Sequence, residues 1–217
     1  MTAKIIVLCL TAAALLVIAV VALAASFRGV PASREPLVRA VEMPDWLREI
    51  EAEHLGKVFG SDEEQLRFAI RLAEENVRRG TGGPFGAAIF GAEDGRLVAV
   101  GVNRVVPANQ SWAHAEMTAF ARAQNRLKNY SLKDCVLASS CEPCAMCTGA
   151  TPWSGVRKLI YGAPGDAARA TGFDEGEKTP DWRGSLEKRG VRVVGPMLEK
   201  DAETPFRLYR ETSGMIY

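Results

Sequence analysis

Residues 139–149 read Ser-Ser-Cys-Glu-Pro-Cys-Ala-Met-Cys-Thr-Gly. Cys141, Cys144 and Cys147 fall at three-residue intervals, and Pro143 stands just before Cys144. Proline suits the first turn of a helix, where its missing N–H costs nothing. The stretch therefore predicts a helix from Pro143, with Cys144 in the first turn and Cys147 three residues on, on the same face. Cys141 stays outside it. A helix N-terminus carries partial positive charge and favours thiolate over thiol, so Cys144 and Cys147 can aim two thiolates at one ion. The spacing also approaches a bacterial iron–sulfur run, which needs a fourth cysteine before its proline. Thr151 stands there, followed by Pro152, so that reading is one ligand short.

Working outward, Ser61-Asp62-Glu63-Glu64 is a capped helix start. Leu66, Ala69, Ile70, Ala73 and Val77 then recur at helical spacing, and Gly80 ends the run. Residues 85–90 and 97–102 are short β runs around an Asp94-Gly95 turn, a hairpin pattern. A helix is expected over about 113–127 and another over 201–212, with strands over 135–138, 158–161 and 191–194. Strands alternating with helices give an α/β fold, with helices on both faces of a central sheet.

The third ligand comes from upstream. The chain has two histidines, and His54 falls in a linker-like region. His114 sits in Trp112-Ala113-His114-Ala115-Glu116-Met117, at a helix start. A lone histidine is more often packed than ligating, but in a first turn His114 and Glu116 can both reach past the helix end. One imidazole, two thiolates and a nearby carboxylate describe an open zinc site with three protein ligands and a water. Zinc lowers the pKa of that water, and the carboxylate can take and redeliver its proton. A structural site would instead recruit Cys141 as a fourth ligand and leave Glu116 idle.

His114-Ala115-Glu116 paired with Pro143-Cys144-Ala145-Met146-Cys147 resembles the signature of zinc nucleobase deaminases. The likeness extends over most of residues 61–217. Gly82-Gly83-Pro84-Phe85-Gly86-Ala87 and the Ser140 to Cys147 run resemble the purine-deaminating branch of the cytidine/deoxycytidylate deaminase superfamily. The stretch from Gly162 to Glu175, and a chain ending on Tyr217, are similar to bacterial guanine deaminases.

The resemblance implies a three-layer α/β/α fold with a mixed sheet of about five strands. It implies one zinc per chain on His114, Cys144 and Cys147, with water or hydroxide as fourth ligand. Glu116 would shuttle protons. Asn103 would hydrogen-bond the purine, Ala115 would supply a backbone contact, and Phe85 and Trp153 would line the ring pocket. An acid in the Phe173-Asp174-Glu175 segment would activate the amino group, although the family usually carries aspartate where Glu175 stands. The C-terminal segment would close a dimer partner's site, placing Tyr217 over the neighbour's pocket. Asn103 also reads as a turn residue, and Phe85 and Trp153 as plain core.

Of 217 residues, 47% are hydrophobic and 24% charged, enough for one ordinary globular core. Five cysteines are too few for a disulfide scaffold. A net charge of +1 provides no footprint for nucleic acid. Residues 5–25 are uncharged and long enough to cross a bilayer, which takes about 20 residues. They read equally as a membrane anchor or as a cleaved secretory signal ending on Ala22-Leu23-Ala24. The expected organisation is a signal peptide or anchor over 1–27, a linker over 28–60 with an amphipathic pattern at 46–55, and a zinc-dependent deaminase domain over 61–217. That places the protein at the cell envelope, exported to the periplasm or anchored, with membrane contact through residues 5–25 if they are uncleaved.

The expected activity is hydrolytic deamination of a free purine base, guanine first, by a homodimer that binds no nucleic acid. Alternatives are adenosine in transfer RNA, another amino-heterocycle such as cytosine, and a non-catalytic zinc module at the membrane.

Overall fold

A computed structural model describes residues 41–217, which form one compact unit. Residues 5–25 lie outside the described residues. Among those described, no helix is long and apolar enough to cross a membrane.

Five strands build the sheet: β1 (Gly86–Gly91), β2 (Leu97–Val102), β3 (Cys135–Cys141), β4 (Lys158–Ala163) and β5 (Arg192–Val194), in the order β2-β1-β3-β4-β5. β1 runs antiparallel to both β2 and β3, with Ala88 opposite Val100 and Ala138. β3, β4 and β5 are parallel, with Ala138 opposite Ile160 and Leu159 opposite Val193. The sheet is therefore mixed. The hairpin turns at Asp94-Gly95, where Gly95 takes a positive φ of 64° that suits glycine. Parallel neighbours need a crossover, and the helix that carries the cysteines joins β3 to β4.

Strand alternation assigns the two faces. Ala88, Phe90, Val100, Val102, Ala138 and Ile160 pack on one side, beneath α1 (Asp45–His54) and α2 (Asp62–Arg78). Ala87, Ile89, Ala99, Leu137 and Leu159 pack on the other, against α4 (Ala115–Leu127). Between them, α3 (Val105–Ala108) is a single turn after β2. Ser61 caps α2 by accepting the Glu64 N–H at 3.2 Å. Leu66 and Leu72 on that helix are fully buried, each worth about 1.5–3 kcal/mol against exposure. After β3 come α5 (Ala145–Ser154), then α6 (Gly165–Thr171), α7 (Trp182–Glu187), α8 (Glu199–Ala202) and α9 (Thr204–Glu211). The closing helix expected over 201–212 is thus divided into α8 and α9.

The expected linker over 28–60 is corrected at its C-terminal part. Residues 41–60 belong to the domain, because α1 buries Trp46 and Leu47 in the core. Its Glu51 is also buried, where it pairs with Arg122 and Arg126 of α4 and accepts the Val100 N–H at 3.1 Å. Removing one partner from such a buried set costs about 3–5 kcal/mol.

One glycine fixes the position of α4. A Cβ on Gly101 would meet the Ala115 carbonyl oxygen at 2.3 Å. Only a bare Cα lets the N-terminus of α4 rest directly on β2, and that N-terminus carries His114 and Glu116.

Candidate zinc-dependent active site

Two helix N-termini converge beyond the C-terminal end of β3. His114 is the N-cap of α4, with extended backbone at φ −70° and ψ 159°. Cys144 is the N-cap of α5, at φ −62° and ψ 174°. The expected start at Pro143 therefore shifts to Ala145. Cys144 already accepts the first helical bond, from the Thr148 N–H at 2.8 Å, while the Ala145 N–H is taken by the Glu175 carbonyl at 2.9 Å. Cys147 sits one turn into α5, fully buried.

His114 Nδ1 lies 3.4 Å from Cys144 Sγ and 3.7 Å from Cys147 Sγ. The three ligand atoms all lie within 4.8 Å of one another. Tetrahedral zinc, with bonds of about 2.3 Å to sulfur and 2.0–2.1 Å to nitrogen, separates such ligands by about 3.6 Å. The donor set fits. Its protonation also fits a cation. The Cys147 thiol, then the His114 ring, hold the Cys144 thiol down to about 4. Cys144 and burial hold the Cys147 thiol well above the ordinary thiol range. Metal binding displaces thiol protons. Burial alone would lower His114, but the Cys144 sulfur outweighs it and holds the imidazole above its usual value.

Glu116 is buried behind the ligands. The Ser139 hydroxyl donates to its Oε1 at 3.2 Å, and its Oε2 faces Cys147 Sγ at 3.4 Å. Burial first, then the Cys144 charge, raise its carboxyl above the ordinary range. A carboxyl held toward neutrality suits proton transfer near pH 7.

A pocket opens over this cluster, lined by Phe85, Asn103, Glu142, Phe173, Asp174, Glu175 and Tyr217 as well as His114, Glu116 and Cys144. Phe85 and Phe173 meet edge to face at 5.0 Å between centroids. Asn103 is buried, and its Oδ1 accepts the Val105 N–H at 3.3 Å. Glu175 is buried with Oε2 unpartnered, and burial, then the Cys144 charge, push its carboxyl up to about 8. Asp174 is the exposed member of the acidic pair, its Oδ1 accepting the Gly176 N–H at 2.8 Å. Ala115 is fully buried between His114 and Glu116.

Two expectations change. Trp153 does not line this pocket: it is 77% exposed on α5, with the Arg189 guanidinium 4.8 Å from its ring. Tyr217 reaches the pocket of its own chain. The tail turns back at residues 212–214, and Tyr209 Oη donates to the Met215 carbonyl at 2.7 Å. The Tyr217 ring then packs on Phe173 at 5.3 Å. Its hydroxyl is buried alongside the Asn103 amide without completing a hydrogen bond, and burial drives the phenol well above its usual range.

Sequence reasoning did not single out Phe173 as a wall, or Ser139, Glu142 and Lys178. The signal for Glu142 was at hand, since it lies inside the cysteine run. Its carboxylate pairs with Lys178, whose Nζ also donates to the Pro143 carbonyl at 3.0 Å. This ties the segment after Glu175 to the metal-ligand turn.

Known proteins match this fold and site. The family description "cytidine and deoxycytidylate deaminase zinc-binding region" fits residues 60–163. Guanine deaminase of Bacillus subtilis (strain 168) is 45% identical over 145 residues, covering 67% of this chain and 91% of that protein. Among solved structures, guanine deaminase from Nitrosomonas europaea aligns with a TM-score of 0.75 at 37% identity, covering 80% of this chain and 97% of that one. A related structure in complex with 8-azaguanine, also 37% identical, gives 0.75 over 80% of this chain and 98% of that one. The chain belongs to the cytidine and deoxycytidylate deaminase family of zinc enzymes. Within it, the similarity runs to the guanine deaminases.

Proposed function

We propose that the protein deaminates free guanine, giving xanthine and ammonia. The observation that carries this reading is the pocket over the His114–Cys144–Cys147 cluster, lined by Glu116 and by Glu175, whose buried Oε2 has no partner. Zinc held by those three ligands supplies a water activated at neutral pH. Glu116, its Oε1 fixed by Ser139, moves protons through Oε2 to the ring nitrogen beside the reacting carbon and to the departing amine. Phe85 and Phe173 hold the ring, the Asn103 amide binds its edge, and Tyr217 keeps bulk water out. Glu175 exchanges hydrogen bonds with the amino group.

The rings of Phe85 and Phe173 in the pocket lining suit one flat base. A net charge of +1 gives little phosphate attraction for transfer RNA. The test is ammonia release by the zinc-loaded protein offered guanine, adenine, cytosine, guanosine and a transfer RNA anticodon stem-loop in parallel. Turnover of guanine alone is expected. Release from the stem-loop alone would overturn the reading.

Two further assignments belong to the proposal. Met146, Gly149 and Trp153 recur at helical spacing on α5, with Met146 38% and Trp153 77% exposed. That face favours a homodimer in which Trp153 serves the interface; light scattering should give twice the chain mass, and one chain mass for Trp153→Glu. Residues 5–25 direct the protein to the cell envelope, which fractionation of cells producing the full chain would check.

A further inference from the structure

The pocket wall that carries Asn103 is braced from outside the matched family region. Helix α1 precedes residue 60, where that match begins. Its Trp46 Nε1 donates to Thr81 Oγ1 at 3.0 Å. The same hydroxyl donates to Asn76 Oδ1 at 2.8 Å. Asn76 is fully buried, and its Nδ2 donates to two carbonyls, Gly83 at 2.8 Å and Asn103 at 2.9 Å. One relay thus runs from the indole of α1, through a hydroxyl and an amide, to the backbone of the residue placed here against the purine.

The loop between these groups has no slack. A Cβ on Gly82 would meet the Asn103 carbonyl oxygen at 2.0 Å and Asn76 Nδ2 at 2.7 Å. A Cβ on Gly83 would lie 3.1 Å from Asn103 Oδ1 and 3.0 Å from the Tyr217 hydroxyl. Residues 81–83 are therefore the wall behind both polar groups at the mouth of the pocket. Arg104 fastens the same loop, donating from Nη1 to the Thr81 carbonyl and from Nε to the Glu42 carbonyl at 3.2 Å.

We propose that Thr81 is a positioning residue for base recognition, coupling α1 to Asn103 through Asn76. Thr81 does not line the pocket, so its effect on substrate passes through the relay. The inference rests on the guanine reading, in which Asn103 binds the base.

The test compares the zinc-loaded full chain with Thr81→Val, Thr81→Ser and Trp46→Phe. Each is measured for KM and kcat with guanine, for the Kd of 8-azaguanine and for melting temperature. Valine keeps the volume and removes the hydroxyl, leaving Asn76 Oδ1 and the indole N–H unpaired. KM and Kd should each rise about fivefold, the share of one net hydrogen bond, with kcat within about twofold. Serine should restore both, and Trp46→Phe should move them in the same direction as valine. A Thr81→Val protein that melts lower but keeps wild-type KM and Kd would overturn the proposal, leaving Thr81 a structural residue only. Loss of kcat at unchanged KM would overturn it as well. If the wild-type chain itself leaves guanine untouched, the functional reading fails and the relay falls with it, an outcome distinct from wild-type turnover with unaffected variants.

Discussion

Replacing Glu116 by glutamine isolates proton transfer from everything else at this site. Both carboxylate oxygens have partners that an amide can keep. Oε1 still accepts from Ser139 Oγ, now at 3.2 Å, and an NH2 group in place of Oε2 can donate to the Cys147 sulfur, now 3.4 Å away. The stability cost should stay near 1 kcal/mol, the scale of one altered hydrogen bond. Zinc should remain at one per chain, since His114, Cys144 and Cys147 are untouched. The amide can neither accept the proton of the activated water nor redeliver it. Loss of a positioned acid–base group costs about a hundredfold to ten-thousandfold, or about 3–5 kcal/mol on the barrier. The assay is ammonia release from guanine at saturating substrate, with bound zinc measured on the same sample. Activity within tenfold of wild type at full zinc occupancy would refute the assignment. Zinc loss would refute it differently, by making Glu116 a holder of the metal.

Three further outcomes are expected. Cys141→Ser should keep one zinc per chain and most activity, because Cys141 is buried against the Pro164 carbonyl, 3.9 Å away, and lies outside the ligand cluster; zinc loss in a chelator assay would point to a closed structural site. Lys178→Met leaves the partly buried Glu142 carboxylate without its cation, so stability should fall by about 1–3 kcal/mol in a denaturant melt, with kcat/KM lowered as the Glu175 segment loosens and partly recovered by Lys178→Arg. Acid should release the metal: the Cys144 and Cys147 sulfurs and the His114 ring nitrogen must all be free of protons to hold zinc, so binding holds at neutral pH and weakens as pH falls and protons compete for the same three atoms. Dialysis at a series of falling pH values followed by metal analysis would check this, and a zinc content independent of pH would contradict it.

The local patterns carried much of this molecule in the sequence. Ser61 followed by three acids marked the start of α2, and the Asp94-Gly95 pair marked the hairpin, because capping and turn chemistry act over a few residues. The metal cluster was legible for the same reason: each half sits at a helix start. What escaped notice depends on tertiary placement. Trp153 has the composition of a pocket wall, yet no local signal says which face of α5 turns outward. Phe173 became a wall only because β4 and α6 deliver it opposite Phe85. The prolines before α1 favoured a linker reading, and long-range contacts build that helix into the domain: the burial of Trp46 and Leu47 and the pairing of Glu51 with Arg122 and Arg126.

The two N-caps that face each other across the site, His114 and Cys144, lie 30 residues apart in the chain. An ion held between them is a cross-link as well as a reagent. It closes the intervening chain into a ring, as a disulfide would, and loop-closure entropy puts such a tie at about 4 kcal/mol. A cysteine pair at that spacing would need an oxidising compartment to form its bond; this staple needs only the ion. Chelation should therefore untie the ends of α4 and α5 first, so that the protein loses shape where it also loses chemistry.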